Sequence, residues 1–217
     1  MLDRNKHLLS RLSAMSSADP SKQRPRLFKS KQLENLTLFS PAAFVVTWAI
    51  LLPALMWIGW GAAGPVEAVA LVVLGLLVWS LFEYAMHRYL FHWSRDWRPL
   101  QWFVFLIHGN HHANPNDPLR NLMPPVVSLP IAGLVWSGCV ALIGAPGTWL
   151  FLGFISGYVA YDMLHFACHQ LPMRGRMAAA LKRHHMRHHH VDEHGNYAIL
   201  GIFWDRVFRT RIVSLKA

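Results

Sequence analysis

Charge is scarce in this chain: only 15% of its 217 residues are Asp, Glu, Lys or Arg. A soluble domain carries about a quarter, so the shortfall argues against a water-soluble globule. Acidic residues are the scarcer sign, 11 against 21 basic ones, for a formal charge of +10. Such an excess can mark a nucleic-acid binder, but here no recognition motif accompanies it and the basic residues flank long apolar runs. Anionic lipid headgroups and membrane orientation account for them instead. Cysteine is nearly absent. Cys139 and Cys168 both lie in apolar stretches, which excludes a disulfide framework. Cys168, although next to His169, reads as a small buried apolar residue. The first 40 residues lack the apolar core that a cleaved signal peptide needs, and Pro20 and Pro25 interrupt any long helix. Residues 1–40 are therefore expected to be a basic, mobile cytoplasmic tail, with Leu33 to Phe39 a short amphipathic piece on the membrane surface. Residues 41–217 are expected to form one membrane-embedded domain.

What the chain has in quantity is apolar sequence, 53% of its residues. Four runs, Pro41–Trp60, Val66–Trp93, Val126–Ile143 and Thr148–Gln170, reach the roughly 17–25 residues that cross a bilayer. The turns between the first pair (61–65) and the second pair (144–147) carry no Lys or Arg; the other segments carry all 21. Because positive charge stays on the cytoplasmic side, both termini are expected there. The expected fold is an all-α integral membrane protein, with four transmembrane helices and a cytoplasmic helical cap.

The histidines are clustered on that same side. His108, His111 and His112 form one H-x-x-H-H and His185, His188 and His189 another; His87 and His92 are five apart, and His165 and His169 four apart. Residues three and four apart share a helix face, so each triplet is expected to point at one place. A lone histidine on an apolar helix is usually a satisfied core residue. Ten polar rings in four clusters are different, because burying them without a shared partner is costly. A metal ion takes about three to six protein ligands and imidazole suits zinc, copper, iron and nickel, so ten rings fit two ions. His184, His190 and His194 fall outside the ligand register. Along the fourth run Tyr158, Tyr161, Asp162, His165 and His169 make a polar stripe, which in a membrane helix marks a functional site.

The order His87-x4-His92, His108-x-x-His111-His112-Ala-Asn114-Pro-Asn-Asp117-Pro-Leu-Arg120, Pro124-Pro125, Tyr161-Asp162-x-x-His165-x3-His169, His185-x-x-His188-His189 and Trp204-Asp205-x-x-Phe208-x-Thr210 resembles the fatty acid hydroxylase superfamily over roughly residues 80–212. Within it, the likeness is nearest to the fatty acid 2-hydroxylases, which act on acyl chains of sphingolipids and related lipids. The resemblance implies that His87, His92, His108, His111, His112, His165, His169, His185, His188 and His189 ligate two iron ions, with zinc able to replace them in a purified sample. It also implies O2 as cosubstrate, a membrane lipid as substrate, and electrons from a separate carrier of the cytochrome-b or ferredoxin type. Arg120 or Asn114 is expected to hold a headgroup or carbonyl, with Asp117 and Tyr161 as further candidates. Glu83 and Asp162, one turn before His87 and His165, are expected to orient ligand rings. Gln170, Ala113 and Arg209 depart from the pattern, Arg209 standing where a glycine is usual. The alternatives are a carotenoid or sterol hydroxylase of the same superfamily, a histidine-rich metal transporter, and a structural zinc site. Chain size favours a bacterial inner membrane over the endoplasmic reticulum.

Overall fold

The computed structural model describes residues 24, 26–93 and 96–212, and every regular element among them is helical. In chain order these are α1 (Lys31–Leu36), α2 (Pro41–Gly59), α3 (Pro65–Met86), α4 (Arg98–Val104), α5 (Asn110–Ala113), α6 (Pro125–Ile143), α7 (Gly147–Gln170), α8 (Arg176–His190) and α9 (Phe203–Val207). Two π-helical turns, His87–Phe91 and Phe105–Gly109, prolong α3 and α4. With the first of these, α3 becomes a 27-residue span, and it joins α2, α6 and α7 as helices long and apolar enough to cross a membrane. All four ranges end within two residues of the apolar runs read in the sequence.

Local chemistry sets the boundaries. Proline stands at the first position of α2, α3 and α6, where its missing N–H costs nothing and its fixed φ suits a helix start. Ser40 caps α2 by accepting from the Ala43 N–H. The two short turns at the far end use Gly61 (φ 80°) and Gly144 (φ 73°), left-handed geometry that glycine adopts without strain. Trp57 and Trp60 stand exposed beside the first turn and Trp97 and Trp102 at the opposite end, as expected of aromatic belts at membrane interfaces.

At the centre stands α7, on which α2, α3 and α6 all pack. Its Phe154 and Tyr158 meet the indole of Trp79 from α3 edge-on at 5.0 and 5.5 Å, and Tyr158 also meets Trp48 of α2. Glycine lets α3 and α7 touch backbone to backbone. A Cβ on Gly153 would stand 2.0 Å from the Val72 carbonyl oxygen, and one on Gly75 2.1 Å from that of Leu150. Close approach of this kind replaces the hydrophobic drive that lipid removes.

Of the segment read as a mobile tail, residues 1–23 and 25 lie outside the described residues, while Arg24 and residues 26–40 are anchored. Arg24 forms an ion pair with Asp117 and Glu34 with Arg120. The second Glu34 oxygen accepts from the Leu27 and Phe28 N–H groups, and buried Phe39 donates its N–H to the Leu119 carbonyl at 2.9 Å. Two ion pairs and a backbone hydrogen bond thus hold this segment against the 114–121 loop.

Candidate metal centre

The ten histidines converge as two groups of five. His87, His92, His108, His112 and His188 form one, and His111, His165, His169, His185 and His189 the other; within each, one ring nitrogen per residue lies within 4.8 Å of all the rest. This corrects the expectation that each H-x-x-H-H points at one place. Consecutive helical residues project about 100° apart, so His111 and His112 aim into different groups, as do His188 and His189. The outer, i and i+4, members of each triplet stay together, and the inner one crosses to the neighbouring group. The π turn explains His87 and His92. Five residues apart on an α-helix they would diverge by about 140°, whereas the wider i→i+5 turn returns them towards one face, with ring centroids 5.2 Å apart.

The donor set fits two cations. Nε2 of His92 and His188 approach to 3.0 Å, those of His111 and His189 to 3.2 Å, those of His165 and His111 to 2.9 Å and those of His169 and His185 to 2.8 Å. Nε2 of His87, His108 and His112 is buried without a hydrogen-bond partner among the described residues. The outer nitrogens of His87 and His188 face the carbonyl oxygens of Tyr197 (2.5 Å) and Gly195 (2.8 Å). A carbonyl only accepts, so each Nδ1 carries the proton and each Nε2 points a lone pair inward. Burial and the neighbouring rings keep the imidazoles uncharged: His108, His111 and His185 are held well below the usual histidine range, and His92, His112 and His188 pushed down to about 4, 3 and 2. Lone pairs facing one another without enough protons between them call for a cation.

Among the described residues Glu83 and Asp162 form no hydrogen bond to the rings of the two groups. Glu83 accepts from the Ile199 and Leu200 N–H groups at 3.2 and 3.0 Å. Asp162 accepts from the Met123 N–H at 2.9 Å and from the Tyr158 hydroxyl at 3.0 Å, and so fixes the stretch of chain whose Asn121 faces His111 and His165. Both carboxylates therefore hold loop backbone. Asp205, which no spacing rule singled out, is fully buried and bonded to His184; His190 and His194 are exposed.

His108, His111 and His165 line a cavity of about 250 Å³, and Leu33 and Leu36 of α1 and Arg120 line it too. A second, almost wholly apolar cavity of about 150 Å³ lies between α3 and α6 on a floor of α7, with Trp79, Phe82, Ile131, Val135 and Phe154 among its walls. Phe91, Phe103, Ile107, Met123, Val127 and Tyr161 line both, so the two adjoin. Arg120 gives one nitrogen to Glu34, while its Nε and Nη1 are buried without a partner among the described residues. Asn114 and Asp117 are buried in the loop behind and line neither cavity.

Residues 72–210, more than half of the chain, match the fatty acid hydroxylase family. The chain belongs to that family. A dihydroceramide fatty acyl 2-hydroxylase of Arabidopsis thaliana is 34% identical over 88% of this chain and 81% of its own length. The fatty acid 2-hydroxylase of Macaca fascicularis is 36% identical over 82% of this chain, and the ceramide very long chain fatty acid hydroxylase of Schizosaccharomyces pombe 38% identical over 66%. The chain spans 45% and 42% of the lengths of those two. Among solved structures, full-length scs7p, with only its hydroxylase domain visible, superposes with a TM-score of 0.78 at 30% identity, covering 85% of this chain and 71% of that one. Family membership joins the four spans in making this an integral membrane hydroxylase acting on lipid.

Proposed function

We propose that the protein hydroxylates a lipid acyl chain at the carbon next to the acyl carbonyl, as the names of its relatives suggest for them. The observation that carries this reading is the pair of adjoining cavities: histidines of both groups line one end, and apolar side chains between two membrane helices line the other. An acyl tail in the α3/α6 cavity keeps its methyl end among Trp79, Phe154 and Val135, so the carbon nearest the histidines lies towards the polar end. Arg120 offers that end Nε and Nη1, two donor nitrogens without a partner among the described residues, which suit a carboxylate or amide oxygen. The apolar walls exclude water from the reacting carbon.

The ten histidines would hold two irons, which supply activation of O2 and removal of hydrogen from an unactivated C–H bond. Per turnover, O2 with two electrons and two protons converts one C–H to C–OH and releases one water. A haem or iron–sulfur carrier delivers the electrons at the histidine end. The uncharged far turns support cytoplasmic termini. These relatives are all eukaryotic, which turns the choice of membrane towards the endoplasmic reticulum and away from a bacterial inner membrane.

Expression under 18O2 and mass spectrometry of released fatty acids test the proposal. One labelled oxygen at C2 is expected. Label confined to mid-chain or terminal alcohols, or to carotenoids or sterols, would transfer the assignment to those substrates, and no label at all would favour a transporter or structural site.

A further inference from the structure

Beyond the ligands, the structure assigns a role to Asp205: we propose that it is a positioning residue for the first histidine group alone, acting through peptide groups of the 195–200 loop. The proposal rests on the two-ion reading above. Asp205 Oδ2 accepts from the Ala198 N–H at 2.9 Å. The carbonyl of that same peptide group, Tyr197 C=O, accepts from Nδ1–H of His87. Carboxylate, peptide and imidazole thus stand in one line, with hydrogen bonds pointing the same way. Such chains polarise each bond in turn and raise the electron density at Nε2, as a carboxylate bonded directly to a metal-ligating histidine does.

A second connection is mechanical, because it passes from the Thr210 carbonyl to the separate hydroxyl of the same residue. Nδ1–H of His188 donates to the Gly195 carbonyl, the N–H of that peptide group, on Asn196, donates to the Thr210 carbonyl at 2.9 Å, and the Thr210 hydroxyl donates to Asp205 Oδ1 at 2.7 Å. Asp205 Oδ1 also accepts the Tyr197 N–H, and Glu83 holds the next two N–H groups after Ala198. Four successive backbone N–H groups, 197 to 200, therefore end on two buried carboxylates. The second histidine group shares neither connection; Asp162 steadies its surroundings through Met123. His184 completes the Asp205 shell at 2.9 Å, and burial, which alone would raise the carboxyl, is outweighed by its four donors, so that it stays below the usual carboxylate range. The Trp204-Asp205-x-x-Phe208-x-Thr210 motif thereby gains a physical purpose: its acid anchors both connections, and its threonine joins the second to that acid.

The test compares anaerobically iron-loaded wild type with Asp205→Asn and the milder Thr210→Val, by iron content and Mössbauer spectra, with His188→Ala and His169→Ala identifying the signal of each group. In Asp205→Asn one oxygen becomes an N–H donor facing N–H groups, and iron affinity of the first group should fall about 10–100-fold, taking the content from about two to about one per chain. Thr210→Val should keep both irons and shift only the signal that His188→Ala removes. Unchanged spectra in both variants, equal loss from both groups, or a shift in the His169-dependent signal would overturn the proposal. Wild type holding one iron or none would instead refute the two-ion reading, a result independent of either variant.

Discussion

Replacing Gly153 with Ala adds one methyl group where α3 and α7 are in backbone contact. The new Cβ would stand 2.0 Å from the Val72 carbonyl oxygen and 2.7 Å from its carbon. Ordinary contact begins near 3.4 Å, so the helices must part by roughly 1 Å, and main chain cannot swing aside as a side chain can. Overpacking of a tight core costs about 1–3 kcal/mol, and a gap of 0.5–1 Å forfeits about a quarter to a half of each dispersion contact along the separated interface. The Trp79–Phe154 and Trp79–Tyr158 contacts lie in that interface. Against this, alanine gains up to about 1 kcal/mol in helix propensity. The net loss is about 2–3 kcal/mol, or roughly 5–10 °C in Tm for a chain of this size. Because α3 carries His87 into one histidine group and α7 carries His165 and His169 into the other, iron content should drop with it. Tryptophan-monitored melting in detergent reads the first effect and iron analysis the second. Gly133→Ala is the control, since nothing lies within 4 Å of its Cβ position. If Gly153→Ala melts with Gly133→Ala and keeps its iron, the close approach is not what holds the bundle.

Acidification should loosen the centre. His92, His112 and His188 are neutral in the fold with values lowered to about 4, 3 and 2, whereas the unfolded chain protonates near 6.5; the stabilisation is therefore complete above about pH 6.5 and declines as pH falls towards 4, to be read as iron retained after dialysis and as the Tm of metal-free protein. Arg209 holds a left-handed φ of 56° where glycine is usual in the pattern it resembles, and Arg209→Gly should raise stability by up to about 1 kcal/mol, measured by melting; a lower Tm would show that its side chain contributes more than the strain costs. Deleting residues 1–30 removes the Arg24 ion pair and two residues lining the larger cavity, Leu27 and Phe28, but no histidine of either group: iron content should hold while KM for the lipid rises, and loss of iron would show that this segment helps to build the centre.

The spans were legible because bilayer thickness imposes a length and an apolar composition on any helix that crosses it, and the proline and glycine at their ends mark starts and turns. Likewise the ten histidines stood out because polar rings are rare in such sequence. Their division was not legible. Whether His111 joins His108 or His165 depends on how the Phe105–Gly109 turn is rotated against α7, a tertiary relation that a spacing rule cannot carry. The same is true of Glu83 and Asp162, whose one-turn offset from His87 and His165 suggested direct contact, whereas Glu83 Oε1 and Asp162 Oδ2 accept from backbone N–H groups of loops remote in sequence. Glu34 looked like one charge among many in a basic segment; only the fold brings it to Arg120 across 86 positions of chain.

The crossing over of His111 and His188 has a consequence for assembly. Segments 108–112 and 185–189 each serve both groups, while 87–92 serves only the first and 165–169 only the second. An ion in either group would therefore tie three separate stretches of chain together, and in doing so would bring two of the three stretches needed by the other into place. Each ion would thus fasten one membrane span of its own, α3 for the first group and α7 for the second, to the two shared segments. In a protein whose two cysteines are unpaired, the pair of ions would be its cross-links.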